Sequence, residues 1–153
     1  MTKTRVMRRH DARTLALSAL YCWELTRGVP VEVFDQVADG FFGSSTPPKP
    51  SGDKRFEYSK ELFLAAVSHP GEIDTLIAKA SQGWQVSRMP RVDLSILRLA
   101  LAEVIYMKET PMEIVIDEAL ELSKEYSTQA SPRFVNGVLM GIFRETGYAK
   151  NHR

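Results

Sequence analysis

The chain is poor in the residues that build covalent or metal frameworks. Its 153 residues contain one cysteine, Cys22, which permits neither an internal disulfide nor a cysteine metal cluster. The three histidines, His10, His69 and His152, are scattered, and none has a carboxylate or cysteine at ligand spacing. No metal and no cofactor is therefore expected. No apolar run approaches the ~20 residues of a membrane span, and no apolar core follows the basic N-terminus. This predicts a soluble, unexported, cytoplasmic protein without membrane contact. Strand patterns are missing too: no stretch alternates with period two. Glycine-rich dinucleotide and P-loop phosphate sites, which follow strands, have nothing to sit on. Nothing points to an enzyme or to a catalytic residue.

What is present is ordinary globular material, with 44% hydrophobic and 25% charged residues. The length suits one domain over residues 1–153, able to bury ~68–70% of its unfolded surface. The net charge of +1 hides an asymmetry. Residues 1–13 carry five cations, Lys3, Arg5, Arg8, Arg9 and Arg13, against Asp11 alone. The other 140 residues hold fifteen cations and eighteen acids. A basic arm over 1–13 on a nearly neutral body suggests a local polyanion contact.

Apolar spacing is helical almost throughout. Ala12, Leu15, Ala16, Ala19, Leu20 and Trp23 predict an amphipathic helix over about 8–27, stopped by Gly28 and Pro30. Val33, Phe34, Val37, Ala38 and Phe41 predict a short second helix. The stretch GSSTPPKPSG from Gly43 to Gly52 has loop composition, and a flexible loop is expected over 43–55. A third helix covers Glu57 to Ser68, and His69-Pro70-Gly71 breaks the chain before a fourth. Ser87 and Pro90 suit the start of the next, apolar on almost every side from Leu94 to Met107. Its polar face is narrow (Asp93, Ser95, Arg98, Glu103), so it is expected at the buried centre. Thr110-Pro111 reads as cap and first turn of a helix through Tyr126. Ser131-Pro132 repeats that signature before a last helix that runs to about Glu145 and ends near Gly147. The fold class is all-α, with six or seven helices.

Binding features are few. Arg5, Arg9 and Arg13 are spaced i, i+4, i+8, with Arg8 beside Arg9, so a continuous helix would align them in one stripe. Cations at a helix start oppose its dipole by roughly 0.3–1 kcal/mol each, so local stability does not account for them. A solvated arm is one reading. RNA or another polyanion is preferred, because arginine grips phosphate bidentately and stacks on bases. Ser131, Arg133 and Phe134, at the start of the last helix, suit a second contact with RNA. Phe134 serves equally well as core beside Val135, Val138 and Leu139, and both readings stay open. Asp117 and Glu121 read as a solvated acidic face, and Gly137 and Gly141 as a close helix crossing.

Three segments carry a family resemblance. RRHDARTLALSALYCWEL (8–25) resembles the opening of the NusB family of bacterial transcription antitermination factors, with Ala12-Arg13, Leu20-Tyr21 and Trp23 in order. RVDLSILRLALAEV (91–104) is similar to the family's central helix. IVIDEALELSKEYS (114–127) followed by RFVNGVL (133–139) is the most specific match. The resemblance implies two small helical bundles around a buried central helix. It implies a partner, NusE, a small-subunit ribosomal protein, with which the family binds single-stranded box A RNA of leader transcripts. It also implies assembly with RNA polymerase and other Nus factors to suppress termination in ribosomal RNA operons. Carried over by position, RNA contacts fall on Arg5, Arg8, Arg9, Arg13, Ser131, Arg133 and Phe134, and NusE contacts on Tyr21 and Asp93. Tyr21 and Asp93 are accordingly expected on one exposed surface. His10 and Asp11 stand where basic or small residues are usual, Ala102 where an aromatic is common, and the 43–52 loop is longer than usual. Two alternatives remain: a stand-alone relative of the helical RNA-binding module of ribosomal RNA cytosine methyltransferases, or a homodimer that covers its own RNA face.

Overall fold

The computed structural model describes residues 7–42, 53–81 and 85–147. Arg5, His152 and the 43–52 stretch fall outside them. The described residues form seven α-helices: α1 Arg9–Thr26, α2 Pro30–Phe42, α3 Lys54–Ser68, α4 Pro70–Ala80, α5 Arg91–Ala102, α6 Met112–Tyr126 and α7 Ser131–Glu145. A 3-10 turn, Val86–Arg88, precedes α5, and a π-helical turn, Glu103–Met107, follows it. The described residues contain no strand.

Local chemistry sets the helix ends. The Asp11 carboxylate accepts the backbone N–H of Arg8 at 3.0 Å and its Nε at 3.3 Å. This acid in the first turn of α1 opposes the repulsion that Arg8 and Arg9 meet there. At the other end Arg27 is left-handed (φ 54°), and its N–H returns to the Trp23 carbonyl at 2.7 Å. Pro30 does not stop α1; it opens α2, where a fixed φ and a missing donor are tolerated. Asp53 caps α3 by accepting from the N–H groups of Arg55 (2.8 Å) and Phe56 (3.4 Å). Residues 53–55, expected as the end of a flexible loop, are therefore the cap and start of α3. The break expected at His69-Pro70-Gly71 is present: His69, restricted by the proline after it, leaves the helical region and ends α3 at Ser68, and Pro70 begins α4.

Helix α5 is the centre. It packs on α1 and α3 to one side and on α4, α6 and α7 to the other, so two small bundles share it. Leu94, Ile96, Leu97, Leu99, Ala100, Leu101 and Ala102 are buried on it, and Val104 just beyond, while Ile105 is half-buried. The expected polar face is not solvated: Asp93, Ser95 and Glu103 are buried. Arg98 is largely covered and bridges Glu24 of α1 (2.9 Å) to Asp74 of α4 (2.8 Å). The α-helix stops at Ala102, because beyond it the Lys108 N–H reaches five residues back to the Glu103 carbonyl at 3.1 Å. Both anticipated hydroxyl caps serve elsewhere: Thr110 Oγ1 lies 3.2 Å from the Tyr58 hydroxyl, and Ser131 donates to Asp93. Of the paired glycines, Gly141 fits a crossing, since a Cβ there would lie 3.8 Å from Ala80 Cβ on α4, whereas Gly137 meets nothing within 4 Å.

Candidate nucleic-acid interface

Residues four apart on a helix are rotated by about 40°, so a stripe can lead from solvent into the core. That happens on α1. Arg8 and Arg9 are exposed, but Arg13 is only 3% exposed, so the single arginine stripe is not formed. The Arg13 guanidinium makes a bidentate pair with Glu103, Nε to Oε1 at 2.9 Å and Nη2 to Oε2 at 2.7 Å. Tyr58 donates to the same Oε2 at 2.8 Å, and Glu118 lies 4.0 Å from Nη1. Burial works against the Arg13 charge, but the Glu103 bonds outweigh it and raise its pKa above the ordinary value. Burial, helped by the Glu103 charge, pushes the Tyr58 phenol well above its ordinary range. Arg13 is thus placed inside, where Glu103 neutralises it.

His10, between them, has acidic partners that sequence spacing could not show. Its Nδ1 is 3.1 Å from Glu118 and its Nε2 2.9 Å from Glu125, both on α6. Contacts across 108 residues leave no local signature in the chain.

The second element is also partly inside. Ser131 and Asp93 are buried, and Ser131 donates to Asp93 at 3.0 Å. Ser127 donates to the other oxygen of Asp93, and the Thr128 N–H to Ser131 Oγ at 3.2 Å. Asp93, expected on a surface with Tyr21, is 3% exposed because it fastens the α6–α7 turn to the start of α5. Ser131 is likewise consumed internally. Arg133 is exposed, and Phe134 is half-buried against the core. The two elements approach each other at the C-terminal end of α6, where Glu125 holds His10 and Ser127 holds the network under Ser131.

Tyr21 is exposed, at 36%. Leu17, Ser18 and Tyr21 of α1, Val92 of α5 and Tyr126 of α6 line an apolar hollow of about 280 Å³. Tyr126, 48% exposed, and Val92 were not anticipated there. The available signal was an aromatic at the polar end of a helix, in Lys124-Glu125-Tyr126-Ser127.

This is a helical binding module: its buried charges are paired internally, while exposed arginines and a two-tyrosine hollow flank α1. The chain belongs to the NusB family, which matches it over residues 10–144. It is 36% identical over 131 residues to the transcription antitermination protein NusB of Geotalea uraniireducens, covering 86% of this chain and 90% of that protein. A crystal structure of antitermination factors NusB and NusE in complex with dsRNA contains a similar chain, with TM-score 0.77, 32% identity, and 90% and 96% of the two chains covered. The solution structure of NusB from Aquifex aeolicus is also similar, with TM-score 0.73, 32% identity, and 95% and 92% covered.

Proposed function

We propose that this chain is a cytoplasmic transcription antitermination factor that binds box A RNA of leader transcripts together with NusE. The pair joins RNA polymerase and other Nus factors to suppress termination in ribosomal RNA operons. The observation that carries the reading is the exposed Arg8–Arg9 pair next to His10, which Glu125 holds at the C-terminal end of α6, with exposed Arg133 and half-buried Phe134 on the first turn of α7. Kinship to a NusB solved with NusE and RNA supports it. Arginines supply sequence-independent phosphate contacts, and an aromatic face can supply base stacking. NusE covers the Tyr21–Tyr126 hollow, a place where apolar area can be buried beside a charged RNA track.

Gel shift of a box A RNA with the chain alone, with NusE alone and with both tests this reading. A complex that forms with both proteins and is weaker with a scrambled RNA is expected. Equal retention of box A and scrambled RNA, or no shift at all, overturns it. Light scattering of the free protein at several concentrations separates a monomer awaiting NusE from a closed dimer.

A further inference from the structure

We propose that the RNA-binding surface continues from α1 onto the start of α3, where a cleft takes a phosphate group of the RNA backbone. This rests on the RNA-binding reading above and names a further binding site within it.

The cleft has a volume of about 370 Å³ and lies between α1, α3 and the segment before α6. Arg9 contributes from α1, Lys54 and Arg55 from α3, and the Tyr58 and Thr110 side chains also line it. Arg13 also lines it, but its charge is met by Glu103. Three cations therefore face one unmatched acid, Glu109. Asp53, the nearest other carboxylate in sequence, does not line the cleft and accepts from the first amides of α3. The helix end is thus already capped, and side chains make the site.

None of the three cations is ion-paired with another described residue. The side chains of Arg9 and Lys54 make no hydrogen bond or ion pair with another described residue. Arg55 donates Nη1 to the Met7 carbonyl at 2.7 Å. A neutral carbonyl fixes the guanidinium in place without cancelling its charge, and its remaining N–H groups stay available. Three like charges set against the single carboxylate of Glu109 still repel one another, and an anion between them relieves that repulsion. Arg9 is shared between the α1 edge and the cleft, so a strand gripped at Arg8 and Arg9 leads directly into it. A polyanion wins over a small one because each further phosphate neutralised releases another condensed counterion.

The test uses the full chain with NusE and a fluorescent single-stranded box A RNA, with affinity followed against salt concentration. Lys54→Gln should lower the log–log salt slope by about 0.7, the value for one phosphate on a single strand. Lys54→Glu should weaken box A and scrambled RNA alike, with an unchanged melting temperature. If Arg9→Ala lowers the slope while Lys54→Glu keeps wild-type slope and affinity, the cleft inference fails and the RNA reading stands. If the wild-type pair binds no RNA, both fail. A titration with inorganic phosphate, read at the Lys54, Arg55 and Thr110 amides, separates sources. Phosphate shifts at these amides together with RNA binding indifferent to Lys54→Glu would assign the cleft to a free anion and overturn the backbone assignment.

Discussion

Arg9 and Arg13 stand one turn apart on α1, yet one meets solvent and the other is sealed against Glu103. A charge on the outer edge interacts through water, is screened, and contributes little to folding. The same charge on the inner edge sits in a medium where removal of its partner leaves an uncompensated ion. One residue type thus serves two ends in a single helix. Arg9 presents charge, and Arg13 fixes the platform on which that charge is presented.

The contrast breaks most sharply at Arg13. Arg13→Ala should destabilise the protein by about 3–5 kcal/mol in urea unfolding, because Glu103 is then buried without its cation. Arg13→Met combined with Glu103→Leu should recover most of that loss, whereas a solvent-facing Arg13 would give no such coupling. Asp93 extends the inner class. Asp93→Asn, which weakens the acceptor for Ser127 and Ser131, should cost about 1–3 kcal/mol. Asp93→Lys should abolish cooperative melting, so a loss of NusE binding in that variant would report unfolding and not a lost contact.

Tyr58 sharpens the comparison through pH. Its folded pKa is raised, so the stability linked to its neutral form is present below the ordinary phenol value of ~10 and is lost as pH rises through the folded value. Tyr58→Phe should cost about 1 kcal/mol at neutral pH and lose less than wild type in alkaline urea titrations. The smallest stability change belongs to the outer edge. Arg9→Ala should stay within about 0.5 kcal/mol of wild type in unfolding while flattening the salt slope of RNA binding. An equal loss of stability at Arg9 and Arg13 would erase the distinction.

The fold was legible because its signals are local. Period-3.6 apolar spacing marked every helix, and the near-continuous apolar run of 94–107 marked the centre. Pro30 was read as a stop although it opens α2, whereas the break expected at His69-Pro70-Gly71 is where α3 gives way to α4. The site was legible only in part. Arg8, Arg9, Arg133 and Tyr21 kept the exposure that a binding role needs, since nothing distant claims them. Arg13, Asp93 and Ser131 did not, because their partners lie 90 and 38 residues away and spacing carries no trace of them. Lys54 and Arg55 escaped because the loop expected from the proline-rich 43–52 stretch was carried on to residue 55, over the start of α3.

The clasp between Arg13 and Glu103 also bears on time. Binding by a frayed helix end loses affinity to the entropy of ordering it. Here the first turns of α1 are bolted to the middle of the molecule, so little backbone freedom remains to be lost when RNA arrives. Slow amide hydrogen exchange across Ala12 to Ala16 would be the visible sign. A long residence time of RNA on the exposed arginines would be its consequence, with the off-rate set in part by an ion pair inside the protein.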